Sequence, residues 1–281
     1  MQAQITPTQN SPYILGHSDS ELDRLINQAR FFGDLTAHVL HLAGFHQGMR
    51  VLDIGCGAGD VSFLAASLVG PEGTVIGVDK SSEAIALASQ RATTAGLTNV
   101  QFLTQDLSEL SLDEPVDALI GRLVLMYFAD PAVVLRRLTG FLKPGGLVVF
   151  HEMDMQGAKS EPFCEVFETA LERIRQTFTR AGADIRAGLR LGRIFQEAGL
   201  PLPHMIQGAR VESGSDSLIY AQVEQVTRTL LPLMQRTNVA TAEEVSIDTL
   251  AARIREEAIA KNATLVSPSL IGAWTQKNLA S

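Results

Sequence analysis

The chain has 281 residues, 46% of them hydrophobic and 19% charged, with a formal net charge of −8. That balance describes a well-cored globule, one large α/β domain with an elaboration or two small domains, and excludes a disordered chain. An acidic chain with no dense Lys/Arg cluster argues against a phosphate-tracking nucleic-acid surface, and no apolar run reaches the roughly 18 residues of a membrane span, which leaves small-molecule chemistry.

Residues 1–12 are polar and Pro-containing and lack the basic start and apolar stretch of a secretory signal. Ser18 to Glu21 has capping-box spacing and opens an apolar-periodic segment to Leu42, read as one or two helices with a break near Gly33. From 50 to 152 the pattern alternates in α/β fashion. Strands are predicted at 50–54, 74–79, 99–104, 116–121 and 146–151, and helices at 60–69, 81–95 and 131–142, the last with Asp130 as N-cap before Pro131. Beyond 152 the spacing predicts helices at 161–181 and 189–198, a strand at 204–212, helices at 216–236 and 242–262, and a final strand at 264–277 in which Pro268 suits an edge or bulge. The two cysteines, Cys56 and Cys164, read as free thiols, and with no signal or span a cytoplasmic protein is expected.

The most informative stretch is VLDIGCGAGD, residues 51–60. An apolar strand breaks at Gly55, and Gly57 and Gly59 follow at alternate positions before a helix. Such a turn lets a polar ligand approach the main chain at a helix N-terminus. The dinucleotide fingerprint requires a third glycine at position 60, where Asp60 stands. A negative charge there would repel a pyrophosphate and suits a cationic ligand, as does Asp53 two residues before the first glycine.

Acid-x-Gly-x-Gly-x-Gly after a strand resembles motif I of the class I S-adenosylmethionine-dependent methyltransferases, whose ligand carries a sulfonium and an ammonium. The resemblance covers about residues 45–155. Its central motifs look most like the ubiquinone/menaquinone-biosynthesis type, which includes many small-molecule methyltransferases. It implies a Rossmann-like α/β fold with a seven-stranded sheet of order 3-2-1-4-5-7-6 and an antiparallel last strand. Residues 46–212 and 263–281 would form that core, 1–45 an N-terminal helical lid segment, and 213–262 a helical insertion serving as lid or dimer surface. The apolar stripe within 218–234 reads as core packing or as the surface of a homodimer.

The resemblance also implies a cofactor, S-adenosyl-L-methionine, left as S-adenosyl-L-homocysteine, and a set of residues. Asp53, Gly55, Cys56, Gly57 and Gly59 would make the loop, Cys56 as a small side chain beside the cofactor rather than a reactive thiol. Asp79, at the end of the second strand beside Lys80, would hold both ribose hydroxyls; its alternative is to cap the next helix. Asp106 would accept from the adenine amine and the Leu107 N–H would meet a ring nitrogen. Gly121, Arg122 and Leu123 would border the methionine end, with Arg122 pairing a carboxylate or merely satisfying strand-end carbonyls. Methyl transfer is an in-line displacement on an activated electrophile, needing alignment and a dry pocket but no metal in principle. His151 has the pKa range of a base, or is satisfied by a backbone carbonyl; Glu152 or Asp154 would orient it or bind a cationic substrate. Tyr13 and His17 would close over the cofactor, and Met126, Tyr127 and Phe128 would line the acceptor pocket or belong to ordinary core. A nicotinamide-dependent oxidoreductase sharing Asp79 and a non-catalytic partner protein that kept the fold are the alternatives.

Overall fold

The computed structural model describes residues 19–278, with side chains from residue 31 onward. Short runs of Val, Ile and Leu become central strands buried on both faces. They are β1 (Arg50–Ile54), β2 (Thr74–Asp79), β4 (Val116–Arg122) and β5 (Leu142–Asp154), with β3 (Val100–Thr104) as a partly exposed strand at the sheet edge. All five are parallel, and the sheet is completed by β10 (Ser269–Gln276), antiparallel to β5, and β7 (His204–Gly208), antiparallel to β10. The order β3-β2-β1-β4-β5-β10-β7 is 3-2-1-4-5-7-6 when only this sheet's strands are counted, as the family resemblance implies. Helices α2 (Asp60–Val69), α3 (Ser82–Thr94) and α4 (Pro131–Leu138) make the crossovers, and the Asp130 carboxylate accepts the Val133 N–H at 3.1 Å to start α4. α6 (Ala187–Glu197) packs on β5 and β10.

Several elements differ from expectation. Helix α1 (Asp19–Ala43) runs unbroken through Gly33. The predicted strand at 204–212 divides into β7 and β8 (Val211–Ser213), and the one at 264–277 into β9 (Thr264–Val266) and β10. β10 lies inside the sheet between β5 and β7, so Pro268 marks no edge; it sits in the step between two sheets. The second sheet, β6 (Lys159–Glu161), β9 and β8, has the same lateral order as β5, β10 and β7, the strands each continues. The helix predicted at 242–262 is broken at Ser246, in the left-handed region at φ 48°, into α8 (Ala242–Val245) and α9 (Leu250–Ala260). A capping box between Thr241 and Glu244 opens α8.

Together with α5 (Glu165–Arg180) and α7 (Leu218–Arg236), α9 buries an apolar cluster of its own. α5, placed by the sequence on the core side of residue 212, therefore packs with the insertion. Glutamates from other elements start these helices: Glu257 accepts the N–H groups of Glu165 and Val166, Glu212 that of Leu218, and Glu224 that of Ala251. Phe31 and Phe32 of α1 join this cap cluster, as do Met126 from the turn after β4 and Met153 from β5. Among the described residues no helix is long and apolar enough to cross a membrane.

Candidate functional site

The turn after β1 is built as its glycines require. Gly55, Gly57 and Gly59 have φ of 61°, 52° and 86°. A Cβ at Gly55 would lie 2.8 Å from Val124 Cγ2, and one at Gly59 2.8 Å from Phe102 Cζ and 2.9 Å from Phe63 Cζ. The turn is tied to the sheet by the Cys56 N–H, donated to the Val78 carbonyl at 3.1 Å. No side chain caps the N-terminus of α2, so its first N–H groups are left for a ligand. The Cys56 thiol is buried, and burial with the nearby Asp53 and Asp79 pushes its pKa well up, which keeps it an unreactive thiol.

Asp53 is buried and accepts the Ser62 hydroxyl at 2.6 Å. Burial pushes its pKa up to about 7 against the opposing pull of Ser62 and Arg122. A buried carboxyl at this threshold is stabilised as an anion by any cation brought beside it. Asp60, read as a negative charge at the loop mouth, is paired with Arg91 at 2.7 Å. Arg91 also donates to the Ala58 carbonyl at 2.5 Å and lies over the Phe63 ring, bracing the loop from α3. The charges suited to a cationic ligand are therefore those of Asp53 and Asp79. Ser62 and Arg91 carried no signal in the sequence, since each acts on a residue distant along the chain.

Asp79 does not cap α3; Ser81 does, accepting the Ala84 N–H. The Asp79 carboxylate accepts the Gly57 N–H on one oxygen and the Ser81 N–H on the other, both at 2.9 Å. It locks the glycine turn to the end of β2, and each oxygen retains a lone pair for a diol. Lys80 beside it is exposed. Asp106 is half-buried and accepts both the Ser108 N–H and hydroxyl, which lower its pKa, and the half-buried Leu107 follows it beyond β3.

The other wall is the end of β4 and β5. Arg122 donates to the Thr36 hydroxyl of α1 at 3.2 Å. Leu123 takes a left-handed φ of 58°, costly for a branched residue, and its N–H binds the His151 carbonyl at 2.8 Å. A 3-10 turn follows at Leu125–Tyr127, in which Met126 is buried and Tyr127 half-buried against the cap cluster. His151 is wholly buried; neither ring nitrogen makes a well-formed hydrogen bond, and the Gly121 main chain gives only a weak pull towards its protonation. Burial, helped by Arg122, pushes its pKa down to about 3, not the ordinary imidazole range that the sequence implies. Glu152 is equally buried, and burial pushes it up to about 8. Asp154 is buried at the end of β5. Tyr13 and His17 lie outside the described residues.

These groups set a pH dependence. The acids Asp53 and Glu152 hold protons in the folded chain that the unfolded chain releases above the ordinary carboxyl values of 3.8 and 4.5. Their ionisation opposes folding as pH rises towards about 7 and about 8. His151, depressed from 6.5, acts oppositely and only below 6.5. Between pH 6.5 and 8 the two acids alone set this site's slope, so the ligand-free protein loses thermal stability over that interval. Thermal melts of Asp53→Asn and Glu152→Gln, each removing one of the two titrations, are expected to show a shallower decline.

A family model described as a methyltransferase domain matches residues 45–199. An arsenite methyltransferase of Aquipseudomonas alcaligenes is 36% identical over 114 residues, covering 38% of this chain and 33% of that protein. An aklanonic acid methyltransferase of a Streptomyces species is 32% identical over 134 residues, covering 47% of this chain and 60% of that protein. The chain thus spans less than two thirds of the length of either relative. The solved structure of phosphoethanolamine N-methyltransferase 2 of Haemonchus contortus shares the fold, with a TM-score of 0.54 at 18% identity over 90% of this chain and 57% of that one.

Proposed function

The chain belongs to the class I S-adenosylmethionine-dependent methyltransferases, and from that membership we propose that it transfers a methyl group from S-adenosyl-L-methionine to a small, partly apolar molecule, releasing S-adenosyl-L-homocysteine. The observation that carries the reading is the left-handed glycine turn bonded through Gly57 to the Asp79 carboxylate. The residues fit the donor. Side chains at Gly55 and Gly59 would collide with their neighbours, and the buried acid Asp53 sits at the threshold of ionisation beside the turn.

When bound, the donor supplies a methyl group already activated by its sulfonium. The chain's part is to hold and to dry the site. Gly55, Cys56, Gly57 and Gly59 shape the cradle, Asp53 answers positive charge, and Asp79 with Lys80 beside it receives the ribose. Asp106 and the Leu107 N–H take the adenine, and Arg122 takes the donor's carboxylate end. His151 enters as a neutral hydrogen-bonding group, since a conjugate acid of pKa about 3 makes a weak proton acceptor near neutrality.

The acceptor lies between the turn at 123–127 and the cap, against Met126 and Tyr127, with Glu152 behind that turn. The cap formed by α5, α7 and α9, with Phe31 and Phe32 of α1, serves as a roof, and the face of α7 that packs inward is core. A cytoplasmic site of action is supported by two buried thiols that form no disulfide. Incubation with methyl-labelled donor and a panel of small apolar nucleophiles is expected to label at least one acceptor and release an equivalent of S-adenosylhomocysteine. Donor binding without turnover across oxygen, nitrogen, sulfur and carbon acceptors would point instead to a non-catalytic binding protein.

A further inference from the structure

Glu152 has an environment that a substrate contact does not explain. It is fully buried at the end of β5. One oxygen, Oε1, accepts the N–H groups of both Val124 (2.9 Å) and Leu125 (2.6 Å). Those bonds fix the chain immediately after Leu123, where it turns through a left-handed conformation. They also aim the Val124 side chain. Its Cγ2 lies 2.8 Å from where a Cβ at Gly55 would be, and its Cγ1 lies 3.0 Å from the corresponding point at Gly121. The first glycine of the turn is thus the socket for a side chain that Glu152 holds in place. On the far side of the same turn, the Met126 carbonyl accepts the Asp184 N–H at 2.9 Å, so the turn is held from below and from the cap side.

We propose that Glu152 is a positioning residue: through the Val124 and Leu125 N–H groups it seats Val124 against Gly55, and so couples the acceptor side of the site to the glycine turn that cradles the donor. The proposal rests on the reading of that turn as the donor site. Burial keeps the Glu152 carboxyl neutral at pH 7, so glutamine is its isostere there. Two buried N–H groups that lose their shared acceptor are costly, whereas an amide oxygen in the same place satisfies them.

Affinity for S-adenosylhomocysteine tests this. Glu152→Leu is expected to bind it about tenfold or more weakly, and Glu152→Gln to recover most of that loss. Gly55→Ala is expected to weaken binding, and adding Val124→Ala to restore at least about threefold of it, because the colliding Cγ2 is gone. The paired variants decide the matter even where Glu152→Leu fails to fold. Wild-type binding by Glu152→Leu, or losses from Gly55→Ala and Val124→Ala that simply add, would overturn the coupling while leaving the donor site intact. Failure of the wild-type protein to bind S-adenosylhomocysteine would instead remove the donor-site reading itself.

Discussion

Asp79→Ala is expected to weaken S-adenosylhomocysteine binding by roughly a hundredfold or more while leaving the fold intact. The side chain is half-buried at the end of β2, and its replacement opens no cavity in the apolar core. It does remove the acceptor of the Gly57 N–H and Ser81 N–H bonds, both 2.9 Å long. It also removes the carboxylate proposed to receive the ribose hydroxyls. Hydrogen bonds to a charged group contribute about 1.5–3 kcal/mol each, so losing two to the ligand corresponds to about 3 kcal/mol or more. Calorimetric titration of the variant beside the wild type measures the difference. Asp79→Asn separates the two roles: it keeps an oxygen for one main-chain N–H but not a charged pair of acceptors, and is expected to fall between. An unchanged affinity in Asp79→Ala would take this residue out of the site.

Gly59→Val is expected to abolish that binding and to destabilise the protein as well. Gly59 has φ 86°, which a β-branched residue resists. Its added side chain would start 2.8 Å from Phe102, 2.9 Å from Phe63 and 3.2 Å from Ala88, three contacts on α2, α3 and β3. Phe63 and Phe102 meet edge to face at 5.8 Å, and Arg91 lies over Phe63 while holding Asp60 and the Ala58 carbonyl. Displacing either ring therefore disturbs the brace of the whole turn. Overpacking of this kind costs about 1–3 kcal/mol, and the backbone strain adds to it. Denaturant unfolding should show a lower midpoint, with Gly59→Ala intermediate. Native stability and native binding in Gly59→Val would contradict the close packing described around the turn.

The parts of this site that are local in sequence were legible before the structure. A strand that ends in alternating glycines, an acid at the next strand end and an N-cap before Pro131 each advertise themselves within a few residues, and each lies in the fold where the sequence places it. Partners that meet only through the fold did not. Nothing near Asp60 announces Arg91, and nothing near Asp53 separates Ser62 from an ordinary helical serine, because both contacts depend on how α2 and α3 lie against the sheet. The strand segments 204–212 and 264–277 concealed a change of sheet, since their pattern continues across a step that only pairing reveals; Pro268 was the one local sign of it. The ionisation of His151 was the furthest from expectation. Its residue type implies a group titrating near neutrality, whereas complete burial beside Arg122 holds it neutral well below that range.

The most direct test of the account is a calorimetric titration of the purified wild-type protein with S-adenosylhomocysteine, with NAD as the control ligand. One-to-one, micromolar binding of S-adenosylhomocysteine with no heat from NAD is the predicted result. Binding of NAD in its place, or heat from neither ligand, would contradict the assignment of the glycine turn and Asp79 as a methyl-donor site.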